Sequence, residues 1–183
     1  TGTVNATTGF VGDAITAGTN GASVLLGAGN DNIGFSEASV VTGKSSTVKL
    51  GAGDDKALLN VSGSGATYVF GEAGNDTIKV GTGTLTANDL IDGGEGTDTL
   101  VLAAAGNNTM VLRGIEKLTL TNTAVGANVI NSADSAIAVT VEAGSGAATA
   151  ANITGLTSGS TVTVNDSKDQ TTGVAALTVG YKA

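Results

Sequence analysis

The stretch Gly71-Glu-Ala-Gly-Asn-Asp-Thr-Ile-Lys79 and its counterpart 22 residues later, Gly93-Gly-Glu-Gly-Thr-Asp-Thr-Leu-Val101, decide the fold of this chain. The second stretch fits the nine-residue pattern G-G-x-G-x-D-x-U-x at every fixed position, where U is a large apolar residue. The first departs from it at one place, and the segments 26–34 and 50–58 depart from it at one or two places. Four copies in one register show that the fold is built from an internal repeat.

Nine residues before the U residue of each copy there is another apolar residue, and this spacing shows how the copies are arranged. The eighth residue of the preceding nonapeptide is Val24, Val48, Val69 or Ile91. One turn of a coil is therefore a pair of nonapeptides, 18 residues in all, with short insertions at 35–40, 59–61 and 80–83. Glycine-rich turns alternate with short strands whose U residues point inward, and successive turns stack as parallel strands. The pattern predicts an all-β, right-handed parallel β-roll or β-helix.

Five aspartates fall on one edge of this predicted coil. They lie 18, 24, 21 and 22 residues apart, which is one turn each, and they are Asp13, Asp31, Asp55, Asp76 and Asp98. At most a vestige of such a column exists on the opposite edge, where the equivalent residues are Ala22, Ser46, Thr67 and Asp89. Stacked like charges repel one another, and Ca²⁺ relieves that repulsion because it accepts six to eight oxygen ligands. The sequence therefore predicts one column of calcium sites, with folding of this half coupled to binding.

The nonapeptides resemble those of the RTX family, the calcium-binding proteins that bacteria secrete. The segment 112–120 resembles the strands that follow RTX blocks in bacterial surface-layer proteins, including those of the Caulobacter type, and in large adhesins. The resemblance implies ions seated between stacked turns, export by a type I route, and folding in external calcium. The implied ligands are the carboxylates of Asp13, Asp31, Asp55, Asp76 and Asp98 and the backbone of Gly27, Gly29, Gly51, Gly53, Gly74, Gly94 and Gly96.

Residues 1–101 form the predicted calcium-binding β-roll, and residues 102–183 form an extension rich in Ala, Thr and Val. The nonapeptide stops there, but short alternating strands continue around the central threonines Thr119, Thr140, Thr163 and Thr178. The alternation predicts that the aliphatic residues point inward and the threonines outward. The simplest interpretation is a calcium-free β-helix that continues the coil, and a small β-sandwich is the alternative.

Composition excludes several other classes of function. The chain has no cysteine and no histidine, so any metal must be bound by oxygen. Cysteine nucleophiles and the commonest general base are absent, and no histidine can activate the serines, so we do not expect an enzyme. Eight basic and sixteen acidic residues give a net charge of −8, which argues against nucleic acid as a partner. No apolar run is long enough for a membrane-spanning helix.

We expect a calcium-dependent, self-assembling structural protein of the extracellular space or cell surface, a subunit of a surface layer or matrix. Its partner would be another copy of itself, because the open ends of a parallel coil are unpaired sheet edges. A cell-surface polysaccharide is a second candidate partner. The alternative function is a monomeric calcium-binding adhesion or accessory module of a larger secreted protein or enzyme. Ice binding by the outward threonines is disfavoured because their spacing is irregular.

Overall fold

A computed structural model of the chain describes residues 2–5, 11–12, 21–33, 39–42, 45–62, 65–103, 107–121, 126–132, 134–142, 150–165 and 176–182. These residues fold into eighteen short strands joined by turns. They contain no helix, and hence none that is long and apolar enough to cross a membrane. The described part of the chain is therefore all-β, as the repeat predicts.

The strands form two parallel sheets, A and B, of nine strands each. Sheet A contains β1 (Gly2–Asn5), β3 (Ala22–Leu25), β6 (Ser46–Ala52), β8 (Thr67–Ala73), β10 (Leu90–Asp92), β12 (Asn108–Arg113), β14 (Gly126–Ser132), β16 (Ala150–Leu156) and β18 (Ala176–Tyr181). Sheet B contains β2 (Val11–Gly12), β4 (Asn32–Ile33), β5 (Ser39–Thr42), β7 (Lys56–Ser62), β9 (Thr77–Thr82), β11 (Thr99–Leu102), β13 (Lys117–Leu120), β15 (Ala138–Glu142) and β17 (Thr161–Asn165). The chain alternates between the sheets and adds one strand to each per turn. The exception is the consecutive pair β4 and β5, which both belong to sheet B.

The register of the strands is the one that the nonapeptide predicts. In sheet A, Val48 pairs with Val69 and Val69 with Ile91, so the eighth-place residues of successive turns lie directly over one another. Each of these side chains is buried between the two sheets, as are the U residues of sheet B, Ile33, Ala57, Ile78 and Leu100. Burial of a large aliphatic side chain contributes about 1.5–3 kcal/mol, so each turn depends on its neighbours for its core.

The extension after residue 101 continues the same coil. Leu118 of β13 pairs with Val139 of β15, which pairs in turn with Val162 of β17, and every pairing is parallel. The sandwich alternative is therefore wrong, because a sandwich of short strands would need antiparallel pairs. Three of the four predicted outward threonines align, since Thr119 pairs with Thr140 and Thr140 with Thr163 in sheet B, whereas Thr178 lies in sheet A, where it pairs with Asn152.

The two short insertions at 59–61 and 80–83 are not loops. Residues 59–61 lie inside β7, and residues 80–82 end β9. Strand β7 is long because it pairs with two strands of the turn before it: β4 along its first residues and β5 along Leu59–Ser62. Leu59, Val61 and Val80 are buried, so the added residues widen the core of sheet B. Of the segment 35–40, residues 35–38 lie outside the described residues and 39–40 belong to β5.

Candidate metal centre

The turns that lead from sheet A to sheet B stack closely on one another. Their third residues form parallel bridges between turns, Ala28 with Ala52 and Ala73 with Glu95. The fourth residue is always a glycine in the left-handed region, as with Gly74 at φ 136°, and a side chain there would meet the backbone of the turn below. Glycine is required at this position because only it combines that dihedral angle with so close an approach. The stacking places the sixth residue of every turn in one vertical column.

The sixth residues are the aspartates, and Asp55, Asp76 and Asp98 each accept a hydrogen bond from the turn before. One carboxylate oxygen, Oδ1, of Asp55 accepts a hydrogen bond of 2.6 Å from the backbone N–H of Asp31. In the same way Asp76 accepts one of 2.8 Å from Asp55, and Asp98 accepts one of 2.8 Å from Asp76. The four aspartates are 0–2% exposed. The inner column thus consists of four buried carboxylates, and three of them accept a hydrogen bond from a backbone N–H of the preceding turn.

The second carboxylate oxygen of these aspartates has a different environment. Oδ2 of Asp55, Asp76 and Asp98 is buried and has no hydrogen-bond partner among the residues that the structure describes. A buried polar atom without a partner costs about 1–3 kcal/mol, and a charged one costs more. Three such atoms in consecutive turns are available to coordinate a cation.

Glycine also leaves room beside two of the carboxylates. A Cβ atom on Gly71 would lie 2.3 Å from Oδ2 of Asp76 and 2.1 Å from the carbonyl oxygen of Gly93 in the next turn. A Cβ atom on Gly93 would lie 2.1 Å from the carbonyl oxygen of Gly114 and 2.6 Å from Cγ of Asp98. A carboxylate and a carbonyl therefore converge on the same point in two successive turns. Oxygen donors of these two kinds are the ligands that Ca²⁺ prefers.

The buried column changes the acidity of its members. The pKa of Asp55 is raised to about 6 and that of Asp76 to about 7, mainly by burial; the neighbouring carboxylates contribute to the rise, and the backbone hydrogen bonds oppose it. Burial also raises the pKa of Asp98, to which the charges of Glu116 and Asp92 add. The shifts have the sign expected for buried carboxylates that lie close to one another.

Asp89, on the opposite edge, provides the contrast. It is as buried as the column aspartates, at 1% exposure, but both of its oxygens accept hydrogen bonds. Oδ1 accepts one from the N–H of Thr67, and Oδ2 accepts others from the N–H and the hydroxyl of Thr86. This carboxylate needs no cation, in keeping with the prediction of at most a vestige of the column on this side.

The fifth residues of the turns form a second ladder on the outside. Oδ1 of Asn30 accepts from the N–H of Asp54, Oδ1 of Asp54 accepts from Asn75, and Oδ1 of Asn75 accepts from Thr97, at 2.8–3.0 Å. These side chains are exposed, and they bond toward the following turn, whereas the inner aspartates bond toward the preceding one. The fifth place therefore clamps the turns together, and its oxygens are engaged with backbone N–H groups.

Most of the predicted site residues lie where the repeat places them. Asp31, Asp55, Asp76 and Asp98 form the inner column, and the predicted glycines line the stacked turns, where the carbonyl of Gly27 accepts a hydrogen bond from the N–H of Ala52. Asp13 lies outside the described residues. Within the described ranges no three acidic side chains come together as a metal-binding group. A cation in the column would therefore depend on backbone carbonyls for many of its ligands.

Two features of the site do not follow from the nonapeptide pattern. Glu72 stands at a second place usually held by glycine and adopts φ 75°, and its carboxylate forms an exposed ion pair of 3.2 Å with Lys49. Glu116 continues the inner column one turn beyond the last nonapeptide, because its Oε2 accepts a hydrogen bond of 2.8 Å from the N–H of Asp98. Its distance of 18 residues from Asp98, one turn of the coil, was the available signal.

Comparison with known proteins adds no relative: no protein-family model, no curated protein and no solved structure matches the chain. The arguments for its function therefore come from the repeat and from the geometry of the column.

Proposed function

We propose that this chain is a calcium-binding, self-assembling structural protein of the extracellular space, a subunit of a surface layer or matrix of the RTX type that folds when it meets calcium after export. The observation that carries the proposal is the set of buried Oδ2 atoms of Asp55, Asp76 and Asp98 that have no hydrogen-bond partner. Of the chain's own residues, these aspartates and the adjacent glycine carbonyls would hold the ions.

The choice of calcium over other cations rests on the ligand set. The column offers carboxylate and carbonyl oxygens, and the chain contains no cysteine or histidine for softer metals. Stacked turns supply these oxygens from flexible backbone, which suits Ca²⁺ and its variable coordination number. Mg²⁺ requires a small, regular octahedron and gives up its waters reluctantly, so it fits such a column poorly. When bound, the ion would neutralise the carboxylates and join the turns that contribute them.

Self-assembly is supported by the last described strands of the two sheets. Strands β17 and β18 each have a neighbour on one side only among the described strands. Apolar side chains there remain exposed: Val164 at 42%, Leu177 at 36% and Tyr181 at 54%. An unpaired parallel edge with exposed apolar residues can accept another strand in the same register. We take the occupant to be a second copy of the chain, stacked end to end.

The experiment is calcium titration of chelated protein, followed by circular dichroism and by negative-stain electron microscopy of the same samples. We expect a gain of β signal together with filaments or sheets. Asp76→Asn should weaken both responses, and Asp89→Asn, a matched change of a buried aspartate whose oxygens are both satisfied, should leave the calcium response in place. If neither signal responds to calcium in the wild type, the calcium column is refuted.

A gain of β signal with particles that stay single would refute the self-assembling role. It would favour the alternative of a monomeric calcium-binding module within a larger secreted protein. Val164→Lys separates the two functions further, since a charge at the end of the coil should block stacking and leave calcium-induced folding unchanged.

A further inference from the structure

The inner column does not stop at the last nonapeptide. Asp98 donates its backbone N–H to Oε2 of Glu116 at 2.8 Å, as the earlier aspartates donate theirs to the next carboxylate. The backbone continues the contact, because the carbonyl of Asp98 accepts hydrogen bonds from the N–H groups of Glu116 and Lys117. Glu116 thus occupies the sixth place of a turn that carries no repeat motif.

This turn is shorter than the one below it. The paired positions Asp92 and Arg113 precede the two turns, and the paired positions Thr99 and Lys117 follow them. Asp92 and Thr99 of the repeat turn are seven residues apart, whereas Arg113 and Lys117 of the next turn are four residues apart. The extra methylene of glutamate compensates for the shorter backbone, since the carboxylate still reaches the N–H of Asp98.

The buried carboxylate of Asp98 lies in the last repeat turn, next to the turn of Glu116. Asp98 is fully buried, and its Oδ2 has no hydrogen-bond partner. The carbonyl oxygen of Gly114 and Cγ of Asp98 both lie within 2.6 Å of the point where a Cβ of Gly93 would be. The charge of Glu116 lies close enough to raise the pKa of Asp98. The carboxyl group of Asp98 and the carbonyl of Gly114 therefore lie beside the same point, and the Glu116 carboxylate reaches the backbone of Asp98, where the repeat ends.

We propose a further divalent-cation site at this junction, in which Asp98, the carbonyl of Gly114 and Glu116 bind one Ca²⁺ that ties the last repeat turn to the first turn of the extension. The inference rests on the proposed function, because it takes the column to be a calcium column. It differs from the sites inside the repeat in its glutamate ligand and its shortened turn. Glu116 is partly exposed, whereas the column aspartates are buried, so this ion exchanges with solvent more readily than the inner ones.

The test is the number of Ca²⁺ ions bound per full-length chain, measured by isothermal titration calorimetry and equilibrium dialysis, for the wild type, Glu116→Gln and Glu95→Gln. Glutamine keeps the acceptor for the N–H of Asp98 and removes the charge. Glu95→Gln is the matched control, because Glu95 is exposed in the neighbouring turn and takes part in that turn only through its backbone. We expect Glu116→Gln to bind one ion fewer and Glu95→Gln to bind the wild-type number.

The outcomes separate this inference from the proposed function. An unchanged ion count in Glu116→Gln overturns the junction site and leaves the column intact. A loss of more than one ion also overturns it, because Glu116 would then be holding the turns rather than a single ion. A wild type that binds no calcium refutes the proposed function itself. Circular dichroism of each variant in calcium accompanies the counts and reports whether the coil has formed.

Discussion

Replacement of Asp76 by asparagine separates the two roles of the column carboxylate. Oδ1 of Asp76 accepts the N–H of Asp55, and the amide oxygen of asparagine can do the same. The amide nitrogen would take the place of Oδ2 and lie beside the carbonyl of Gly93, to which it can donate. The substitution therefore removes a buried charge and satisfies an orphaned atom. It should stabilise the calcium-free protein and weaken the calcium-bound one.

The size of the effect follows from the pKa of Asp76, which burial raises from 3.8 to about 7. Because the folded-state pKa lies above the unfolded one, the protonated side chain favours the fold fully below pH 3.8, and this contribution is lost as the pH rises through about 7. A difference of about three units corresponds to about 4 kcal/mol, and solvent screening near the turn reduces it to roughly 2–4 kcal/mol. Asparagine does not titrate, so its advantage is largest at pH 8 and vanishes below about pH 4.

The assay is urea unfolding in chelator at pH 8, repeated in calcium, with Asp89→Asn as the control. Asp89→Asn should be destabilised in both conditions, because Oδ2 of Asp89 accepts hydrogen bonds that an amide NH₂ cannot accept. We expect Asp76→Asn to be more stable than the wild type in chelator and to gain less on addition of calcium. If Asp76→Asn were less stable in chelator at pH 8, the buried carboxylate would not be the burden that we describe.

Other changes test the column from different sides. In chelator the wild type should unfold at lower urea concentration as the pH rises from 5 to 8, because the raised pKa values of Asp55 and Asp76 are crossed there, and calcium should reverse the trend; a flat profile would contradict this. Glu72→Gly should raise the free energy of unfolding by about 1 kcal/mol through relief of the positive φ, whereas Glu72→Ala, which keeps the strained dihedral angle, should not. Gly71→Ala should lower the free energy of unfolding by about 1–3 kcal/mol and abolish the calcium response at that turn, because its methyl group would collide with Asp76 and Gly93. If the variant titrated with calcium as the wild type does, the oxygens beside Gly71 would not be calcium ligands.

Much of the architecture could be predicted from the sequence because the repeat couples composition to geometry. Inward U residues such as Ile78 and Leu100 and the column of buried aspartates both follow from an 18-residue turn that returns to the same side of the coil. The sequence of the extension leaves two architectures open, since its alternating strands suit a sandwich as well as a coil. The parallel pairing of β13, β15 and β17 decides for the coil. Alternation of apolar and polar residues does not by itself determine whether strands pair in the parallel or the antiparallel direction.

What the sequence could not provide is the distribution of hydrogen bonds among chemically identical side chains. Asp76 and Asp89 occupy the same sixth place of their nonapeptides, but Thr86 satisfies one aspartate and no residue satisfies Oδ2 of the other. The difference depends on a local turn, in which Asp89 bonds back to a residue three positions earlier. The nonapeptide pattern also misses Glu116, because the shortened turn breaks the motif while it keeps the carboxylate in place, and only the 18-residue spacing from Asp98 indicates it.

The two opposed ladders, one bonding to the turn before and one to the turn after, repeat without change from Asp31 to Asp98. Every turn in this block therefore presents an inner carboxylate acceptor and an outer N–H donor to the turn before it, and an inner N–H donor and an outer side-chain acceptor to the turn after it. Duplication or deletion of one turn, such as 56–76, would keep the hydrogen bonds of both ladders. The number of aspartate turns is thus open to change by recombination within a gene that already repeats itself.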